Sequence, residues 1–115
     1  MEYSNKSFNL ALKEIIEKNK IKLRGLARKT NLNYTYFSKL KNREKHPPIG
    51  TIEIIANGLD INPEYFLEYR IYKIERFLIE NPEHLDSIIG YIENLAKKKK
   101  LKVAEDKTSF KKNKN

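Results

Sequence analysis

The chain contains 115 residues, a length that suits one domain with a modest hydrophobic core. Its 24 Lys and Arg residues outnumber 15 Asp and Glu residues, and the formal net charge of +9 indicates a polyanionic partner, either nucleic acid or an acidic membrane face. Cysteine is absent, which excludes a disulfide framework and a thiolate metal site.

Charge is unevenly distributed along the chain. Residues 1–62 carry a net charge of +6, residues 63–96 carry −4 and residues 97–115 carry +7, which predicts three parts with different roles. The sequence has no run of 18 apolar residues, and charged residues occur throughout its first twenty positions. We therefore expect neither a membrane span nor a secretory signal, and predict a cytoplasmic protein.

Helical periodicity begins near the N-terminus, and no segment has the alternating apolar pattern of a strand. The first predicted helix covers about residues 7–19, and Ser4 or Ser7 is suited to cap its start. A short second helix continues the same spacing. The apolar stripe of the first helix consists of Phe8, Leu12, Ile15 and Ile16, and that of the second consists of Leu23, Leu26 and Ala27.

Two further short helices follow. The third is predicted over about residues 33–42, with Phe37 and Leu40 on its inner face. The fourth covers about residues 49–57, and we expect Gly58 to adopt the left-handed conformation that ends a helix.

The tripeptide Asn-Pro-Glu occurs twice, beginning at Asn62 and at Asn81. Each copy combines an Asn cap, a Pro at the first helical position and an acid in the first turn. The fifth helix is therefore predicted to begin near Pro63 and to reach about Glu80, and the sixth is predicted to begin near Pro82.

These patterns predict an all-α fold of five helices followed by a C-terminal amphipathic helix or helical hairpin. The predicted organisation is a domain at residues 1–69, a helical segment at residues 70–100 and a disordered basic tail at residues 101–115.

The second and third helices are separated by a turn of three or four residues, the arrangement of a helix-turn-helix. A small residue is needed where the two helices cross, and Ala27 occupies that position. The turn needs a residue that tolerates positive φ, and Asn31 can do so, although Gly adopts it more easily. Leu32, Phe37 and Leu40 are predicted to face inward and hold the third helix at its angle.

In order and spacing, the sequence over about residues 8–69 resembles the phage-repressor-like helix-turn-helix family of the Cro/C1 or xenobiotic-response-element type. The residues that carry the resemblance are Leu26-Ala27, Asn31-Leu32, Phe37, Leu40, Pro47, Thr51-Ile52, Ile55-Ala56, Leu59, Ile61 and Phe66. The resemblance implies a lambda-repressor-like five-helix DNA-binding domain that acts as a homodimer on two-fold-symmetric operators.

Five positions depart from the family pattern. Leu23 replaces a Gln that often reaches the DNA backbone, so that contact is expected to be lost, and Asn31 replaces the usual turn Gly. Lys41 and Arg43 replace a frequent Glu and Gly and add positive charge. Pro48 replaces a common Ser or Thr cap, so the fourth helix is expected to start differently.

The outward residues of the third helix are chemically suited to reading base edges. Asn can pair with adenine, Lys can donate to guanine, and Thr and Tyr can pack against the thymine methyl group. Cations before and after the helix, including Lys29, are suited to phosphates. The predicted base contacts are Asn33, Tyr34, Thr35, Ser38, Lys39 and Asn42, and the predicted phosphate contacts are Lys22, Arg24, Arg28, Tyr36, Arg43 and Lys45. One alternative is that these polar residues simply form a solvated helix face. Another is that the aromatic pair Tyr34 and Tyr36 lies partly in the core.

The predicted sixth helix carries an apolar stripe. We favour a two-fold dimer interface for it, because the motif family reads paired half-sites that need a fixed separation. The alternative is an intramolecular helical hairpin. The predicted interface consists of Leu85, Ile88, Ile89, Ile92 and Leu95.

Two functional classes other than a repressor were considered: an enzyme, and a binding protein that uses the same fold on a protein partner. No clustered carboxylates, His pair, Gly-rich phosphate loop or nucleophile motif is present, so we expect no enzyme, no cofactor and no metal site. An antitoxin or a phage or mobile-element adaptor would use the same fold on a protein partner as well as DNA. We predict a bacterial or phage, nucleoid-associated transcriptional repressor that binds double-stranded DNA, and no membrane, as a homodimer.

Overall fold

The computed structural model describes residues 2–40, 42–43 and 45–106, with side chains described as far as residue 100. These ranges contain α-helices and 3-10 turns and no strand, which confirms the predicted all-α fold. No helix within them combines the length and apolar character needed to cross a bilayer. The helices are α1 (Phe8–Lys18), α2 (Leu23–Thr30), α3 (Tyr34–Leu40), α4 (Ile49–Gly58), α5 (Leu67–Glu80) and α6 (Leu85–Asp106).

The chain divides into two units, the first ending at Arg76 and the second beginning at Phe77. In the first unit, the predicted apolar stripes of α1 and α2 meet the inner faces of α3 and α4 in one core. Three phenylalanine rings lie at its centre and are fully buried: Phe8, Phe37 and Phe66. The rings of Phe8 and Phe66 are in contact, with centroids 4.5 Å apart, so the start of α1 packs against the segment that precedes α5.

The start of α1 is stabilised differently from the prediction. Ser7 occupies the N-cap position but makes no side-chain capping bond, and the Ser4 hydroxyl accepts a hydrogen bond from the Lys6 amide instead. The amide of Phe8 donates to Oε2 of Glu68 on α5, at 3.0 Å. A carboxylate suits this position because it satisfies an unpaired amide at the positive end of the helix dipole.

The end of α4 also differs from the prediction. Gly58 is the last helical residue and does not have positive φ; the left-handed residue is Asp60, with φ of 59°. Gly58 is buried, and a Cβ atom built on it would lie 2.4 Å from Cγ2 of Thr30 on α2. The glycine is therefore needed for the close approach of α2 and α4, because no side chain fits between them.

Replacing Gly58 by Ala is therefore expected to lower the free energy of unfolding by about 1 to 3 kcal/mol, the usual effect of overpacking. Gly50→Ala in the same helix is the control, since a Cβ there meets no atom within 4 Å. Chemical denaturation of both variants checks the prediction. If Gly58→Ala were as stable as Gly50→Ala, α2 and α4 could move apart without lowering the free energy of unfolding.

The first Asn-Pro-Glu copy begins a short 3-10 turn at Pro63–Tyr65 and not α5 itself. As predicted, Asn62 caps it, with Oδ1 accepting from the Glu64 amide at 2.9 Å. Phe66 then adopts an extended conformation, with φ of −87° and ψ of 134°, and α5 starts at the next residue. The fully buried Phe66 ring lies at this break between the 3-10 turn and α5.

Arg70 on α5 fixes the N-terminal segment of the first unit. Its guanidinium donates to the carbonyl of Ser4 at 2.9 Å and to Oδ1 of Asn5 at 2.7 Å, and it stacks on the Tyr3 ring at 4.9 Å. The same group donates to the carbonyls of Glu64 and Tyr65. The residues that precede α1 are thus held against the segment that leads into α5.

In the second unit, the second Asn-Pro-Glu copy forms a 3-10 turn at Pro82–His84 before α6. The predicted cap is wrong here, because the Asn81 side chain donates backward to the Phe77 carbonyl at 2.9 Å. The described part of α6 runs to Asp106, so residues 101–106 are helical where a disordered tail was predicted. Residues 107–115 lie outside the described residues.

Candidate nucleic-acid interface

The turn between α2 and α3 has the predicted geometry. Asn31 is left-handed, with φ of 61° and ψ of 25°, and its amide donates to the Ala27 carbonyl. The Thr30 hydroxyl, buried at the end of α2, donates to the Leu26 carbonyl at 2.8 Å and accepts from the Leu32 amide at 3.3 Å. These bonds satisfy the last carbonyls of α2 and direct the chain into α3.

One face of α3 is anchored in the core and the other is exposed. Phe37 and Leu40 are at most 1% exposed, and Leu32 in the turn is half-buried against the same core. The inward frame predicted from the sequence is therefore present. The predicted base-contacting residues that lie exposed on or beside α3 are Asn33, Tyr34, Thr35, Ser38, Lys39 and Asn42.

Asn33 has a structural role in addition to its predicted one. Its Oδ1 accepts a hydrogen bond from the Thr35 amide at 2.8 Å, which is the bond of a helix N-cap. The residues that follow on the exposed face are Thr35, Ser38 and Lys39, at spacings that put them on one side of the helix. These three side chains form the face of α3 that is predicted to read bases, here called the readout face, and Asn33 caps the helix where that face begins.

A cation–π contact joins α2 to the start of α3. The Arg24 guanidinium lies over the Tyr34 ring, 4.9 Å from its centroid, and both side chains are exposed. Arg28 is one turn further along the same face of α2. Tyr36 is half-buried, with its ring edge-on to Phe37, so this predicted phosphate contact lies partly against the core.

Lys22 and Lys29 lie on a different side of α2. Together with Asp60 they line a cavity of about 290 Å³ between α2 and the end of α4. Lys29 forms an exposed ion pair with Asp60, at 3.4 Å. The structure therefore places Arg24 beside α3, with Arg28 on the same face of α2, and does not group Lys22 with them.

The loop after α3 carries the remaining predicted phosphate contacts. Arg43 and Lys45 are exposed, whereas Lys41 lies outside the described residues. Asn9 of α1, 4% exposed, donates from its side-chain amide to the carbonyls of Arg43 and Lys45. No role was predicted for Asn9 from the sequence, although a polar residue inside the apolar stripe of a helix is a recognisable signal.

A polar helix held on a buried frame after a tight turn, with cations before and after it, defines a helix-turn-helix DNA-binding unit. The family model of the Cro/C1-type HTH DNA-binding domain matches residues 11–70, more than half of the chain. The chain belongs to this family, as the sequence resemblance predicted, and the domain supports a DNA-binding regulator. Comparisons with curated proteins and with solved structures give no significant match.

Proposed function

We propose that this protein is a sequence-specific transcriptional repressor that acts on the nucleoid in the cytoplasm. The observation that carries the proposal is the division of α3 into a fully buried side, Phe37 and Leu40, and an exposed polar side. A rigid frame under a polar helix lets side chains meet base edges at fixed positions in a major groove. Repression needs only a protein that occupies the promoter, and a DNA-binding domain can do this without an additional domain.

The proposed roles follow from where the side chains lie. Thr35, Ser38 and Lys39 read base edges, and Tyr34 packs beside them. Arg24 and Arg28 from α2, with Arg43 and Lys45 from the loop after α3, pair with phosphates at the two ends of the readout face. Asn33 and Asn42 complete the base-contacting set. Lys22, on another side of α2, and Tyr36, partly against the core, are phosphate contacts proposed from the sequence alone.

The second unit supplies the proposed dimer interface. Four apolar side chains of α6 are between 40% and 55% exposed, and Ile88 beside them is half-buried. They recur at spacings of three and four residues along the helix, which puts them on one side of it. An exposed apolar stripe of this kind is typical of an interaction surface. The four side chains are Leu85, Ile89, Ile92 and Leu95.

Selection of bound DNA from a random library by the full-length chain tests the proposal. The expected result is one enriched sequence with two-fold symmetry and half-sites about one helical turn apart, because a symmetric dimer places two copies of α3 in successive major grooves. Recovery of DNA without any enriched sequence would contradict sequence-specific regulation. Enrichment of a single unrepeated half-site would support α3 as the reader and contradict the dimer.

Charged substitutions on α6 test the dimer separately. Ile88→Asp together with Ile92→Asp should convert a dimeric parent into a monomer in sedimentation velocity, because two buried carboxylates would face their symmetry copies. Asn94→Asp is the control, since Asn94 is exposed and lies two residues beyond Ile92, on the opposite side of the helix. A monomeric parent would disprove the interface.

A further inference from the structure

We infer that Asn9, at the start of α1, is a positioning residue for DNA binding: it holds the loop after α3 so that Arg43 and Lys45 face the phosphate backbone. The inference rests on the proposed function, because it assigns a role in the same interface. The hydrogen bonds of the Asn9 side chain go to the carbonyl oxygens of the two cationic residues.

The orientation of the Asn9 side chain is determined by its partners. Nδ2 donates to the Arg43 carbonyl and, at 3.4 Å, to the Lys45 carbonyl, whereas Oδ1 is buried and has no hydrogen-bond partner among the described residues. A carbonyl oxygen can only accept, so rotation of the amide would place Oδ1 against two acceptors. The two carbonyl acceptors therefore set the orientation of the Asn9 amide.

The position of Asn9 makes it a link between the core and the loop. Phe8 and Ala11, one residue before and two residues after Asn9 in α1, are fully buried, so packing holds this part of the helix in place. The two carbonyls that it binds belong to residues 43 and 45, which are 34 and 36 positions away in the sequence. Asn9 therefore connects the packed helix α1 to a loop whose described residues, 42–43 and 45–48, form no helix or strand.

Both linked residues carry exposed cationic side chains. A flexible loop would have to be ordered when its cations meet phosphates, and that ordering lowers affinity. A loop already held at two carbonyls avoids the loss. Removing the Asn9 amide should therefore weaken the two phosphate contacts without removing either charge.

The salt dependence of DNA binding tests this role. Each phosphate contact contributes about 0.9 to the slope of log K against log salt concentration. For each protomer bound, we expect Asn9→Ala to reduce the slope by about one to two, and the double variant Arg43→Ala/Lys45→Ala to reduce it by about two. Both reductions double for a dimer on its two half-sites. In the triple variant the Asn9 substitution should add nothing, because the cations that it positions are gone.

Several outcomes separate this role from a purely structural one. The parent must first bind its selected sequence, and a parent without sequence preference would disprove the proposed function itself. If the Arg43→Ala/Lys45→Ala variant loses slope and a folded Asn9→Ala variant keeps the parent slope, the inference about Asn9 is wrong while the proposed function stands. If Asn9→Ala lowers the melting temperature but leaves the slope unchanged, the inference about Asn9 is also wrong.

A second variant guards against loss of folding. Asn9→Ser keeps a polar group at the site, but its shorter side chain cannot reach two carbonyls together. Its slope should also be smaller than that of the parent, and a parent-like slope would overturn the inference. Circular dichroism at the binding temperature establishes that each variant is folded before its slope is measured.

Discussion

Phe37→Ala should lower the free energy of unfolding by about 3 to 5 kcal/mol, the usual cost of removing a fully buried phenylalanine ring. Phe37 has no exposed surface and packs with the other two buried phenylalanines in the core. Folded domains have a total stability of about 5 to 15 kcal/mol, so this one substitution should leave a large unfolded fraction at raised temperature. Urea denaturation followed by circular dichroism measures the loss.

Phe77→Ala provides the matched comparison. The Phe77 ring is 50% exposed and stacks only on His84 among the described ring contacts, so its removal should cost much less. If the two variants lost equal stability, or if Phe37→Ala lost less than about 1 kcal/mol, the core would not depend on α3 in the way that the burial of Phe37 implies.

Thr35→Ala and Lys39→Ala should each weaken binding to the selected operator by about 1 to 3 kcal/mol if the side chain contacts a base. Both side chains are exposed, so the stability of the free protein should change by no more than about 0.5 kcal/mol. Fluorescence anisotropy with labelled operator measures the effect. Lys13→Ala on α1 is the control, because it removes the same charge from an exposed site outside the helix-turn-helix.

Asn33→Ala should behave differently from these two variants. Because Asn33 also caps α3, its replacement should lower stability by about 0.5 to 2 kcal/mol in addition to any effect on binding. If Thr35→Ala, Lys39→Ala and Asn33→Ala all bound operator like the parent, α3 would not be the recognition helix.

The parts of the fold that local patterns specify were predictable from the sequence. Helical periodicity indicated the inner faces of α1 to α3, and the need for a positive φ identified Asn31. The cap at Asn62 was also correct. Each of these features depends on residues within a few positions of one another, so the sequence alone contains the information.

The features that were missed depend on partners far away in the chain. The carboxylate that receives the Phe8 amide belongs to Glu68, 60 positions away, and the guanidinium of Arg70 reaches a carbonyl 66 positions away. Gly58 was interpreted as a helix end because glycine commonly occupies that place. Its actual role, contact with Thr30, becomes visible only when α2 and α4 are packed together.

The candidate DNA-binding site also combines features that were predictable from the local sequence with features that depend on tertiary packing. The exposed face of α3 followed from identifying its buried face, whereas the link from Asn9 to the loop after α3 required the tertiary structure. The side of α2 on which each cation lies was also not predicted, because the sequence alone did not show where α4 would pack. The structure separates Lys22 from Arg24 and Arg28 for this reason.

The measurement that tests sequence-specific binding most directly is the ratio of two dissociation constants. The full-length chain is titrated, at one fixed salt concentration, into its selected operator and into a shuffled duplex of equal length and composition. The proposed function predicts that the operator binds at least about 10³-fold more tightly. Equal affinity for the two duplexes would show that only the positive charge of the protein binds DNA, and would contradict the proposed role of α3.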